Sequence, residues 1–338
     1  MLRRALAERL EAGTDSSPLT RGLARAYQWA SAASRHLLLP EKTAVVGVGG
    51  ATLGGSGKTP LCLALARALS QDGLRVAVVA SGYRSRAGRA RRVLASDAVE
   101  DVGDDALWLA RALDGAGVPV AVAKRRQAAI DLVAPQVDVV LVDALLQTRP
   151  KRLALSLLVV DGTNPFGSGR CPPAGDLRAG KRELLSACDA VVSVGAPSEA
   201  LSKPCYVVEA ELVGATGAGG ERWTLAELRG LRLGVALAVA RPERVLRSLD
   251  RAGIMPHTVH RAADHDRPRP VAAPVEGWLV TPKCATKLGE RLQGAPVFTL
   301  DWRLRPPASL LRAVAVSSPE KPGATVVESA PCLAPELS

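Results

Sequence analysis

Between residues 44 and 194 short apolar runs alternate with stretches whose apolar positions recur at helical spacing. The runs at 44–48, 75–80, 118–123, 137–143, 155–160 and 189–194 are too short for helices and read as strands. The stretches at 58–70, 104–113, 125–134 and 181–188 read as helices. Strand and helix in strict alternation make an α/β fold: a mainly parallel sheet with helices on both faces, whose ligands bind at the carboxyl ends of the strands. A second set follows, with strands near 204–210, 233–239, 276–281 and 296–300 and helices near 241–252 and 284–292. Gly214–Gly220, rich in glycine and alanine, reads as a linker or exposed loop. The expected divisions are a helical segment at 1–40, a core domain at 41–203, a smaller C-terminal α/β domain at 204–317 and a disordered, aperiodic tail at 318–338.

The N-terminal segment is charged up to Gly13 and carries no secretory pattern. In Arg21–Leu39, by contrast, Leu23, Tyr27, Ala30, Ala33 and Leu37 recur at helical spacing among Arg21, Arg25 and Arg35, with Trp29, Leu38 and Leu39 extending the apolar surface. No run reaches the roughly 18 to 20 apolar residues of a membrane span. A basic amphipathic helix can lie in a lipid interface, or it can simply pack on the domain.

The chemistry centres on Thr52-Leu53-Gly54-Gly55-Ser56-Gly57-Lys58-Thr59, placed between the first strand and the first helix. Strand, glycine turn and helix in that order make a phosphate-binding loop, a P-loop. Its glycines let backbone N–H groups close on phosphate oxygens, and the helix start adds its positive dipole end. Lys58 can reach the β- and γ-phosphates, and Thr59 can ligate Mg²⁺. Thr52 stands where the general pattern has glycine. The competing reading, a glycine turn that binds nothing, suits a Gly-Lys-Thr in this position poorly. The expected ligands are therefore ATP and Mg²⁺.

Composition adds two constraints. Hydrophobic residues are 47% of the chain but aromatic ones only 3%, so the core must be aliphatic. The net charge of +11 favours anionic partners. No basic block is interleaved with aromatics, so nucleic acid is not expected among them, and no obligate protein partner is inferred. Cys62, Cys171, Cys188, Cys205, Cys284 and Cys332 show neither C-x-x-C nor metal spacing and read as mostly buried thiols in a reducing cytoplasm.

Further stretches carry chemistry, each with a plainer reading beside it. The strand at 137–142 ends in Asp143, the place of an acid that binds Mg²⁺ or its water, or of a carboxylate that caps the next turn. Asp104 and Asp105 open a helix and can simply cap it. In Asp264-His265-Asp266 the histidine is placed for general-base work or is merely solvated. Gly167–Arg178 is a rigid glycine-proline loop whose Arg170 and Arg178 suit phosphate or head-group contact, or solvent.

Taken in order, these stretches resemble the tetraacyldisaccharide 4′-kinases, the lipid A 4′-kinases. The most specific parts are Gly54-Gly55-Ser56-Gly57-Lys58-Thr59-Pro60, Ser81-Gly82-Tyr83, Val102-Gly103-Asp104-Asp105, Val160-Asp161-Gly162, Gly169-Arg170 with Pro173-Ala174-Gly175-Asp176-Leu177-Arg178, and Thr281-Pro282-Lys283. That family's loop also lacks the leading glycine, which accounts for Thr52. The resemblance implies a two-domain P-loop architecture. It also implies transfer of the ATP γ-phosphate to the 4′-hydroxyl of a tetraacylated glucosamine disaccharide 1-phosphate, the lipid A precursor. Mg²⁺ and a peripheral position on the anionic cytoplasmic face of the inner membrane come with it. The family's catalytic acid falls on Asp104 and its catalytic histidine on His265, with Asp104 orienting the base.

The chain departs from the family at several of these places. Asp143-Ala144-Leu145-Leu146-Gln147-Thr148 stands where the family has Asp-Asp-Gly-[Leu/Phe]-Gln-His; Gln147, retained, is placed with Arg170 and Arg178 on the acceptor side. Ser81 replaces an arginine, Cys284 an aspartate, and Ala238-Val239-Ala240 a glycine turn. Two other readings follow: a member that binds nucleotide or lipid but catalyses poorly, and a P-loop ATPase or GTPase of metallochaperone type. The latter class usually carries lysine where Leu53 stands.

Overall fold

The computed structural model describes residues 9–13, 17–31, 35–197 and 202–317. They divide into two compact units: a larger one that runs from Arg9 to Glu209 and resumes at Leu304, and a smaller one at Ala210–Arg303. The tail at 318–338 and most of residues 1–16 lie outside the described residues.

In the larger unit six strands run parallel in the order Ala190–Val194, Leu155–Asp161, Ala44–Gly50, Val139–Asp143, Val76–Val79 and Val120–Val122. Residues Cys205–Val208 extend one edge in parallel, and Arg91–Arg92 closes the other antiparallel. The two faces are built by the alternation of side chains along each strand. Val46 and Val48 pack on Leu61, Leu65 and Leu69 of the helix Lys58–Gln71 and on Leu107 of the helix Asp104–Leu113. Val45, Val140 and Val142 turn the other way, onto Ile130 and Val133 of the helix Arg126–Val133. All seven residues of Ala44–Gly50 are buried, which is why that strand reads as an unbroken apolar run. The helix Ala308–Val316 comes after the smaller unit in sequence, yet it buries Leu310 and Val314 in this larger core.

The smaller unit holds the strands Thr258–Arg261, Leu233–Leu237, Gly277–Val280 and Ala295–Arg305 side by side, with the end of Cys205–Gly217 next to the last of them. Thr216 Oγ1 donates to Asp301 Oδ2 at 2.6 Å across that last pair. Val235, Leu237 and Leu249 form one face, where the rings of Trp223 and Phe298 lie 4.9 Å apart; Trp278 and Val280 form the other. A methyl group on Gly277 would overlap the Phe298 ring. Gly277→Ala is therefore expected to lower stability by about 1–3 kcal/mol, as overpacked cores do, measurable by denaturant unfolding; an unchanged midpoint would show that Phe298 has room to move.

Three sequence expectations are corrected. Gly214–Gly220 is not a linker: residues through Gly217 continue the strand and pair with Arg222–Thr224, leaving only 218–220 as the turn. The helix expected at 284–292 stops at Ala285. There Gln293 (φ 50°) and Gly294 (φ 83°) make a two-residue turn that folds Arg291–Leu292 back on Ala295–Pro296. Positive φ at both central residues is the hairpin-turn geometry, and it overrides the helical spacing. The amphipathic helix spans Pro18–Ser31 and does not reach Leu39, because Arg35–Leu37 forms a strand that pairs with Thr148–Pro150. The expected role of Ala33 in it falls outside the described residues.

Candidate functional site

The phosphate loop leaves the carboxyl end of Ala44–Gly50, the sheet's central strand. Gly57, with φ 90°, caps the helix that Lys58 opens; only a residue without Cβ takes that conformation freely. The Lys58 side chain folds back over Gly50, and its Nζ donates to Ser56 Oγ at 3.3 Å. Thr52 is buried, bridges to Leu177, and donates its Oγ1 to Gly54 O at 2.8 Å.

The glycine-proline loop straps this turn from outside. Asp176 O accepts from Leu53 N at 2.9 Å, Ala51 O accepts from Arg178 N at 2.8 Å, and Arg178 Nη2 donates to Leu53 O at 3.2 Å. Asp176 is itself held, since its Oδ1 accepts from both Ser168 N and Ser168 Oγ at 2.9 Å. Arg178 thus touches the phosphate loop, whereas Arg170 donates to Gly13 O at 3.3 Å. Neighbouring Asp161 closes its own turn by accepting from Thr163.

One pair is placed for metal chemistry. Thr59 Oγ1 donates to Asp143 Oδ2 at 2.8 Å, and both residues are buried. Asp143 Oδ1 is buried as well and has no hydrogen-bond partner. A buried carboxylate oxygen left open beside a hydroxyl fits a hard divalent cation, which takes one or two carboxylates beside phosphates and water. The pair fits Mg²⁺, which Thr59 and Asp143 would hold. Arg126 Nη2 reaches Asp143 O at 3.3 Å; sequence reasoning passed over this arginine, which opens a helix without any motif around it. Beneath the pair Cys62 is fully buried. Burial first, and then the Asp143 carboxylate, push its thiol well above the ordinary range against the pull of Lys58, so it stays protonated and inert.

Asp104 is also buried, at the first position of its helix, and its Oδ1 accepts from Asp105 N at 3.0 Å. Ala144 follows Asp143 in the left-handed region with φ 58°. Gln147 is half-buried, and Thr148 spends its hydroxyl on Lys151 O at 2.7 Å.

The smaller unit carries a second cluster. His265 also lies in the left-handed region, with φ 65°, and its N–H donates to Asp264 Oδ1 at 3.0 Å. Lys283, in the short helix that Thr281 caps, places Nζ 3.0 Å from Asp264 Oδ1 and 3.1 Å from His265 Nε2. An ammonium can only donate, so toward Lys283 the Nε2 atom is the acceptor. Cys284, where the family has aspartate, is buried and accepts from Ala238 N at 3.2 Å. The two departures at 284 and 238 thus meet in one hydrogen bond. Among the described residues four of the five cysteines are buried, and burial above all raises the Cys188 thiol to about 11.

A parallel sheet with a phosphate loop on its central strand, and an acid from the next strand on the loop's threonine, defines a P-loop protein of the phosphoryl-transfer class. A family model described as tetraacyldisaccharide-1-P 4′-kinase matches residues 19–314, and the chain belongs to that family. It is 34% identical over 226 residues to a tetraacyldisaccharide 4′-kinase of Dichelobacter nodosus, covering 65% of this chain and 66% of that one. A relative of the same description from Acidithiobacillus ferrooxidans is 32% identical over 279 residues, covering 78% and 80%. The matched stretch thus spans just under two thirds of the first relative's length and four fifths of the second's. The structure of LpxK from Aquifex aeolicus in complex with ATP superposes with a TM-score of 0.66 at 22% identity, covering 94% of this chain and all of that one, a likeness of fold. Among the described residues no helix is long and apolar enough to cross a membrane.

Proposed function

We propose that the chain transfers the γ-phosphate of ATP to the 4′-hydroxyl of a tetraacylated glucosamine disaccharide 1-phosphate at the cytoplasmic face of the inner membrane. The observation that carries this reading is the Thr59–Asp143 pair behind an intact Lys58 loop, in a chain of this family. The loop's N–H groups and Lys58 hold the β- and γ-phosphates, and Arg178 fixes the loop through Leu53 O. Thr59 and Asp143 would hold Mg²⁺, which when bound would neutralise charge on the transferring phosphoryl group. His265 takes the proton of the 4′-hydroxyl as the sugar oxygen bonds to the γ-phosphorus and the bridge to ADP breaks. Its accepting lone pair is the one Lys283 now occupies, so base catalysis requires that hydrogen bond to be exchanged for the substrate's. Asp104 is the acid that the family resemblance pairs with this base. Leu19 and Leu23, 74% and 51% exposed on a helix bearing exposed Arg21 and Arg25, face the lipid interface. The deciding experiment follows γ-phosphate from ATP to a disaccharide 1-phosphate acceptor by mass; ATP binding without any transfer at any Mg²⁺ concentration would overturn the reading.

Ala144 supplies a graded test. Aspartate tolerates the left-handed region better than alanine, and here it would restore the second acid beside Asp143. Ala144→Asp is expected to raise turnover several-fold or to lower the Mg²⁺ concentration needed, read from initial rates across a Mg²⁺ titration. An unaltered Mg²⁺ profile would mean that Asp143 alone suffices.

A further inference from the structure

Between Ser81 and Ser96 the chain carries five arginines and no acidic residue. Two of the five build the loop itself: Arg91 pairs with Asp97, and Arg92 donates to Gln136 Oε1. Arg84, Arg86 and Arg89 are exposed, with Arg84 stacked 5.6 Å above the Tyr83 ring. One large apolar side chain stands among them, Tyr83 at 54% exposure. After Asp97 the next acids in the chain, Glu100 and Asp101, sit on the short helix Val99–Val102, whose Glu100 O accepts from Arg86 N. An exposed segment that mixes guanidinium groups with an aromatic ring matches the interfacial layer of an anionic bilayer: charge at the head groups, the ring just beneath.

Its place in the fold gives the patch a direction. The loop leaves the carboxyl end of Val76–Val79, and the phosphate loop leaves the same end of the parallel strand Ala44–Gly50. The helix Pro18–Ser31 rests on the glycine-proline loop, which leaves the carboxyl end of Leu155–Asp161: Tyr27 packs with Leu177 and Ala179, and Gln28 Nε2 donates to Glu183 Oε2 at 3.0 Å. Helix, phosphate loop and arginine loop therefore share one edge of one sheet.

We propose that the Tyr83–Arg89 loop is a docking surface for the anionic lipid bilayer, a second contact beside the helix Pro18–Ser31 that turns the carboxyl edge of the sheet toward the membrane. This rests on the reading of a membrane-borne acceptor, yet its main test, vesicle binding, needs no turnover. The full chain is floated with vesicles of phosphatidylcholine alone or with phosphatidylglycerol added. At about fivefold per arginine near an anionic surface, Arg84→Gln, Arg86→Gln and Arg89→Gln together are expected to lower partitioning onto the anionic vesicles roughly a hundredfold, with little change on neutral ones. Tyr83→Ser weakens binding to both, Leu19→Ser with Leu23→Ser adds its own loss, and wild-type binding falls as salt rises. Unchanged binding of the triple variant overturns the proposal. So does a triple variant whose KM rises for acceptor dispersed in uncharged detergent, since the arginines would then grip the acceptor itself. Loop-dependent vesicle binding in a chain that shows no transfer upholds the surface and removes only the kinase reading.

Discussion

Replacing Lys58 by alanine is expected to bring γ-phosphate transfer down to the assay background while leaving thermal unfolding unchanged. The side chain is half-buried, lies back over Gly50, and makes its hydrogen bond to Ser56 Oγ, so its loss opens no apolar cavity. What disappears is a positive charge aimed at oxygens whose charge shifts during transfer. One such donor, held in place before the reaction, is worth roughly a hundred- to thousandfold in turnover. Turnover within tenfold of wild type would remove the phosphate-loop assignment. A lowered melting temperature would instead assign Lys58 a structural part.

The second large effect is expected at Asp104 and His265. Each change to alanine should lower turnover by roughly a hundredfold or more, the usual worth of general-base catalysis. If the two work on one proton, as the family resemblance implies, the double change costs little beyond the larger single one. Fully multiplicative losses would separate their roles. His265 is held in a left-handed conformation by Asp264 and Lys283, so a local control is needed. Lys283→Met leaves His265 in place but removes the donor to Nε2, and nitrogen NMR of the imidazole should then show its tautomer balance shifting.

Much of this was legible before any coordinates. The parallel strands of the larger unit are apolar runs because both faces are covered, and Lys58–Gln71 shows its period because only one stripe meets the sheet. The strand-end acid Asp143 was legible too, and its partner Thr59 stands beside it at hydrogen-bonding distance. Long-range contacts were not. Nothing in the spacing of Gly167–Arg178 says that its backbone would bond to Ala51 and Leu53. Nothing marked Arg126 as the neighbour of Asp143, since a lone arginine carries no pattern. The helix expected over 284–292 failed for a local reason: Gln293-Gly294 is a hairpin turn, and a short apolar stretch is ambiguous between the two periods. Gly214–Gly217 misled because small residues read as flexible, when here they admit a neighbouring strand.

The strap across the phosphate loop bears on how tightly a nucleotide can be held. A free glycine-rich turn loses backbone freedom when it closes on phosphate, about 1–2 kcal/mol for each residue fixed. Here Thr52 is bridged to Leu177, and Leu53 is gripped at both N–H and C=O by Asp176 and Arg178. That entropy is lost when the chain folds, not when the ligand arrives. The first half of the loop is preorganised, so its share of the interaction with phosphate appears in the affinity almost undiminished.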